Sequence, residues 1–159
     1  MSLQLRDALP ADLEFLVAGN RRMAQETEGV ELDPQLVGPG TRAVLQDPAL
    51  GRYLIAEQDG QPVGQLMLTY EWSDWRNGVF WWIQSVYVEP DHRGRGVFSA
   101  LFRHVAGLAR ASDDVCGIRL YVDRDNHPAQ AVYAHLGLHA THYDVMETVF
   151  RGPASHRET

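Results

Sequence analysis

The sequence contains no lysine: all 14 basic residues among its 159 are arginine. That absence excludes a lysine nucleophile, a Schiff base and the lysine of a Walker phosphate loop. Cysteine occurs once, as Cys116, which excludes an internal disulfide and a cysteine-built zinc cluster. The residue reads as a small apolar group leading into a strand. No apolar run approaches the length of a membrane span and no signal peptide opens the chain, so the cytoplasm is the expected compartment and no membrane is expected as partner. The histidines show no ligand spacing, and no metal is expected. Positive charge is also short. The formal net charge of −7 makes nucleic acid a poor partner and a cationic ligand a suitable one.

What is present is an ordinary globular balance, 45% hydrophobic and 22% charged, enough for one domain with a core. A single domain is expected over residues 1–150, with 151–159 as a flexible tail because they carry no hydrophobic pattern. "LQLRDA" reads as a first strand. From Pro10, the spacing of Leu13, Leu16, Val17 and Met23 predicts a helix that Gly29 ends. "DPQLVGPGTRAVLQDP" predicts a poorer helix, broken at Gly38-Pro39-Gly40. "RYLIAEQDGQPVGQLMLTYEW" is two strands joined by Asp-Gly, a strong hairpin signal. A third strand is expected over Val79–Val88, then a glycine loop, then the helix "VFSALFRHVAGLARA". "GIRLYVD" predicts a strand, "PAQAVYAHLG" a helix stopped by Gly137, and "LHATHYDVMETVF" a closing strand. This order implies an α/β fold with a mixed sheet and helices packed on its faces. It is not a doubly wound dinucleotide fold, because the glycine loop follows the fourth strand and lacks a third glycine in register.

Chemistry concentrates in two blocks. The first is the loop Arg93-Gly94-Arg95-Gly96-Val97-Phe98 followed by Ser99, between strand and helix, where backbone amides and a helix N-terminus can converge on an anion. Glycines at 94 and 96 let the backbone approach without a Cβ in the way. The second is "NHPAQAVYAHLGL", with Asn126, Tyr133, Gly137 and Leu138 in register. Together they resemble the core of the GNAT superfamily, N-acetyltransferases that use acyl-coenzyme A. The resemblance implies a GNAT fold, with a mixed, mostly antiparallel central sheet and helices on both faces. It implies acetyl-CoA as co-substrate, held by the loop residues and Asn126, and by the backbone of Val86, Tyr87 and Val88 where the strand splays from its neighbour. Phe98 departs from the pattern, which has glycine or alanine there, so its ring must turn away from the pyrophosphate or flank the cofactor.

The resemblance gives Tyr133 the role of general acid toward the departing thiolate, and Asn126 either a cofactor hydrogen bond or a helix cap. Within the superfamily the pattern is nearest to enzymes that acetylate polyamines and related small amines. Those carry a glutamate at the position of Gln84, and glutamine cannot act as a base. Glu71 and Asp74 are the alternatives, or a water chain held by Gln84 and Ser85. Glu28 belongs to an acidic rim with Glu26, Glu31 and Asp33, suited to a cationic amine. Trp72, Trp75, Trp81 and Trp82 cluster near the same hairpin, for packing or for holding a cation. The expected partner is a small-molecule amine, and the resemblance leaves a homodimer open. The rival readings are a non-catalytic acyl-CoA sensor and a peptide N-acetyltransferase.

Overall fold

The computed structural model describes residues 2–153. The expected tail at 151–159 therefore lies mostly outside the described residues. The chain divides into two compact units, Met1–Leu120 and Tyr121–Thr159, taken in turn below.

The first unit holds a five-stranded sheet in the order β1-β2-β3-β4-β5. Its strands are β1 (Leu3–Asp7), β2 (Arg52–Gln58), β3 (Gln61–Ser73), β4 (Gly78–Val88) and β5 (Val115–Leu120). The first three pairings are antiparallel and β4–β5 is parallel. This is the mixed, mostly antiparallel sheet expected. The β2–β3 turn has Asp59 at φ +53° and Gly60 at φ +77°, the two left-handed positions that an Asp-Gly hairpin supplies.

The helices of this unit take opposite faces of the sheet. α1 (Leu13–Glu28) follows a short 3-10 turn at Pro10–Asp12 and ends where Gly29 adopts φ +64°. Its Leu16, with Phe15, packs on Tyr53 and Ile55 together with Val44 and Leu45 of α2 (Pro34–Gln46). The next residue along β2, Ala56, faces the other way, near Gly64 and Val97 of α3 (Val97–Ala111). Successive strand residues point to opposite faces, so α1 and α2 cover one side and α3 the other.

α2 is a correction to the sequence reading, which broke it at Gly38-Pro39-Gly40. The helix runs through Pro39 without interruption. Proline removes one N–H and crowds the preceding turn. The Thr41 hydroxyl donates to the Val37 carbonyl at 2.7 Å, whereas the acceptor that loses its helical donor at Pro39 is the Gln35 carbonyl.

In the second unit, α4 (His127–His135) is the one helix among the described residues. The Gly137 N–H donates to the Ala134 carbonyl and the Leu138 N–H to the Tyr133 carbonyl, with Gly137 at φ +97°. Gly137 thus stops the helix by a Schellman-type turn, as the sequence implied. The closing strand read from "LHATHYDVMETVF" does not form: residues 139–150 carry no strand pairing. Their β-forming composition is real, but a strand requires a hydrogen-bonded neighbour.

Candidate acyl-donor site at the end of the fourth strand

A break in β4 sets the geometry. Gln65 stands opposite Tyr87 and Met67 opposite Gln84, so Ser85 and Val86 together face Leu66. Ser85 adopts φ +51°, an uncommon conformation for a residue with a side chain. An inserted residue of this kind bends a strand and raises its twist. The bulge is tied down from inside. Gln65, fully buried, donates from Nε2 to Asn20 Oδ1 at 2.9 Å and more weakly to the Ser85 carbonyl at 3.4 Å. Asn20 in turn donates to the Tyr53 hydroxyl and Thr41 Oγ1 at 3.0 and 3.3 Å. A chain of buried amides and hydroxyls therefore links both helices of that face to the bulge. Gly19 leaves room for it, since a Cβ there would collide with Gln65 Oε1.

Beyond the bulge the sheet opens. The β4–β5 register ends at Ile83 opposite Leu120. Val86, Tyr87 and Val88 thus continue β4 with no β5 residue across from them. Arg93 holds the end of the strand: its Nε donates to the Val88 carbonyl at 2.9 Å, its Nη2 bonds Glu26 at 2.8 Å, and the guanidinium lies 5.4 Å from the Tyr87 ring centre. The side chain of Arg93 is therefore a clamp between the loop, α1 and the strand end. Its partner Glu26 stood in the sequence only as one member of an acidic run, and no spacing signal marks the pair.

The loop then turns into α3. Gly94 and Gly96 lie at φ +73° and +80°, and a Cβ at either would meet nothing within 4 Å. Glycine is required there for conformation rather than for space. Gly96 caps α3 without any side-chain hydrogen bond, and the first helical bond runs from the Ala100 N–H to the Gly96 carbonyl. The amides of Val97, Phe98 and Ser99 precede that bond and belong to the unsatisfied donors of a helix start. Phe98 turns along the helix toward Phe102, ring centres 6.3 Å apart, while Val97 is buried beneath. Arg95 has no ion pair among the described residues and its side chain is exposed.

The acceptor-side candidates are more scattered. Gln84 Nε2 donates to Thr69 Oγ1 at 2.6 Å. Glu71 pairs at 2.6 Å with Arg119, whose guanidinium lies 3.7 Å from the Phe80 ring centre. Asp74 accepts from the Trp75 N–H within the β3–β4 turn. Glu28 ends α1 and is exposed. Trp72 and Trp75 are 62% and 87% exposed, whereas Trp81 is buried with Tyr70 edge-on to it. The four tryptophans are thus split between core and surface. Among the described residues no three acidic, histidine or cysteine side chains group to hold a metal, and no helix is long and apolar enough to cross a membrane.

In the second unit the Asn126 side chain accepts from the Ala129 N–H at 3.2 Å. It is a helix cap, one of the two roles open to it. Tyr133 is half-buried on α4, and burial pushes its phenol up from the ordinary value. The hydroxyl is a proton carrier across the physiological range.

Comparison with known proteins gives a consistent picture. Residues 19–138 match the model of the acetyltransferase (GNAT) family. The sequence is 31% identical to a mycothiol acetyltransferase of Kocuria rhizophila, over 89% of this chain and 57% of that protein. It is 28% identical to a candidate ribosomal protein bS18-alanine N-acetyltransferase of Bacillus subtilis, over 60% of this chain and 58% of the other. The chain thus spans a little over half the length of the curated relatives it matches. The crystal structure of a possible acetyltransferase from Clostridium difficile 630 superposes with a TM-score of 0.88 at 38% identity, covering 95% of this chain and 99% of that one.

Proposed function

The chain belongs to the acetyltransferase (GNAT) family, and on that premise we propose that it moves an acetyl group from acetyl-coenzyme A to the primary amine of a small cationic metabolite. One observation carries the donor half of this reading. The uncapped N-terminus of α3 follows, across the loop of residues 89–96, the stretch of β4 beyond its last β5 pair. Helix-end amides suit a pyrophosphate, and free strand-edge groups suit the amides of a pantetheine arm. The residues present therefore fit acetyl-CoA, with Gly94, Arg95, Gly96, Val97, Phe98 and Ser99 at the phosphates and Val86, Tyr87 and Val88 along the arm. The Arg93 guanidinium acts by holding that loop.

Acetyl-CoA supplies an activated thioester carbonyl. The amine nitrogen attacks that carbon directly in a ternary complex, the C–S bond breaks, the nitrogen loses a proton and the thiolate gains one. Tyr133 is the donor to sulfur, a role that rests on the family block around it and on its protonated state. An alkyl amine near pKa 10.4 is almost wholly charged at neutral pH, and Gln84 cannot take its proton. The acceptor therefore deprotonates largely in solution, or through a carboxylate such as Glu71 or Asp74, while Glu28 and the acidic composition favour a cation. The mycothiol acetyltransferase relative supports a small-molecule acceptor. A peptide amino terminus is the second reading, supported by the exposed Trp72 and Trp75 on an open hairpin tip and by the relative named for acting on a ribosomal protein.

The test is release of coenzyme A thiol from acetyl-CoA against polyamines, diamines, amino acids, aminoglycosides and amino-terminal peptides, from pH 7 to 9. One amine class should turn over, with kcat/KM rising about tenfold per pH unit as the neutral amine grows. Tyr133 stays protonated throughout, and Tyr133→Phe should lower kcat by about 100-fold or more. Tight acetyl-CoA binding without turnover on any acceptor would instead identify a sensor.

A further inference from the structure

Gln65 is a polar residue in an apolar place. It is fully buried on β3, with Ile55 across from it on β2 and Tyr87 across from it on β4. Burying an amide there costs stability that an apolar side chain of the same length would not. Only half of the group is satisfied, since Oε1 has no hydrogen-bond partner among the described residues. The other half, Nε2, faces Asn20 Oδ1 at 2.9 Å, the Ser85 carbonyl at 3.4 Å and the Leu16 carbonyl at 3.5 Å. An amide nitrogen carries two N–H groups, so both find acceptors, and the amino end is directed to α1 and the bulge. α1 leaves out a side chain to admit it. A Cβ at Gly19 would stand 2.2 Å from Gln65 Oε1 and 3.2 Å from the Tyr87 ring.

What this amide reaches is a strained residue. Ser85 lies at φ +51°, and such a conformation persists only where its surroundings over-determine it. The run after it is held at the far end too. Arg93 donates to the Val88 carbonyl and pairs with Glu26, and Arg22 meets Glu89 at 3.2 Å. Val86, Tyr87 and Val88 are thus fixed from α1 at both ends, by ion pairs at the loop and by an uncharged amide at the bulge. With the phosphates at the loop and the arm running back along Val88, Tyr87 and Val86, the thioester end of acetyl-CoA comes to the bulge.

We propose that Gln65 is a positioning residue for the acyl donor: its amide holds the Ser85 bulge and thereby sets where the thioester carbonyl stands. The role rests on the acetyl-CoA reading of the site, and Gln65 acts through the strand without touching the donor.

Gln65→Met keeps the length of the side chain and removes its N–H groups. In the ligand-free protein, the amides of residues 85–88 should then exchange with deuterated water faster than in the parent. With acetyl-CoA, kcat should fall about tenfold or more, with a smaller change in KM. The nucleotide fragment of coenzyme A, which lacks the arm, should bind both proteins equally by calorimetry. Leu54→Val, a fully buried change on the opposite face of the sheet, is the control: it should lower the melting temperature and leave kcat at the parental value. An equal loss of kcat in the two variants, or weakened binding of the fragment, overturns the proposal. Adding Ser85→Gly to Gln65→Met should return most of the lost kcat, because glycine takes a positive φ without being held there. Absence of any recovery counts against the role in the same way. A second measurement stands even if Gln65→Met misfolds. In the unsubstituted chain labelled with nitrogen-15, the Gln65 side-chain amide signals should move on binding acetyl-CoA and stay in place with the fragment, and signals indifferent to both ligands overturn the proposal. Failure of acetyl-CoA to bind the unsubstituted chain is a different result. It removes the donor reading, while the ligand-free exchange comparison still decides whether Gln65 holds the bulge.

Discussion

Asp12 is nearly covered by protein yet carries a charge, and its donors explain why. Arg6 reaches it with both terminal nitrogens, at 2.7 and 2.9 Å, and the Leu9 N–H donates at 2.6 Å. The hydrogen-bonded Arg6 guanidinium, aided by the Leu9 amide, holds the Asp12 carboxyl below the usual carboxylate range against the opposing effect of burial. Because the folded value lies below the unfolded one, near 3.9, the resulting stability is complete above that pH. It disappears as pH falls through the folded value. Asp12→Asn should cost about 1–3 kcal/mol at pH 7. Below about pH 4 the gap to the parent protein should narrow, as thermal melts of the two across pH will show. Gln65 and Tyr133 illustrate what single letters convey. Asn126 and Tyr133 stood out through their spacing, whereas Gln65 shows its function only once the fold brings Asn20 and Ser85 beside it. Ser85 at φ +51° had no glycine to advertise the bulge.

Among the elements, the start of α3 depends most on backbone conformation. Gly96→Ala places a side chain at φ +80°, costing roughly 1–2 kcal/mol. That cost is met either by strain or by a shifted loop. Acetyl-CoA affinity, measured by calorimetry, should fall about tenfold for a cost near 1.4 kcal/mol. Gly60→Ala, at φ +77° in the β2–β3 turn, provides the control, with a comparable drop in melting temperature and unchanged affinity. Most elements were readable from the sequence because each has a local cause: Asp-Gly for the hairpin, Gly29 and Gly137 for helix ends, runs of β-forming residues for β2 to β4. The two misreadings came from trusting composition alone: α2 passes through Pro39 without interruption, and the segment after α4 has strand composition but carries no strand pairing. The site followed the same division. Its loop was written in glycines, while the Arg93–Glu26 clamp joins residues 67 positions apart and left no pattern.

Across the whole molecule, the net charge of −7 with no lysine acts in opposite senses on two ligands. On the proposed function it would draw in a cationic amine and repel the anionic donor, except where Arg93 and Arg95 stand. Raising ionic strength from about 50 to 500 mM shortens the screening length several-fold. The kcat/KM for a diamine, which keeps one charged group when the other reacts, should fall several-fold, while that for a monoamine changes little. Stopped-flow rates of acetyl-CoA binding should move the other way. The parting of β4 from β5 after Ile83 has a consequence in time as well as in space. Among the described residues the β4 amides beyond Ile83 that face away from β3 have no β5 partner, so in deuterated water they should exchange with the solvent far sooner than those paired between β2 and β3. Adding acetyl-CoA should slow exchange in the 85–88 stretch and leave the distant β1 amides at their original pace. Mass spectrometry of the corresponding peptides would read the opening directly, as a stretch of strand whose clock is set by its ligand.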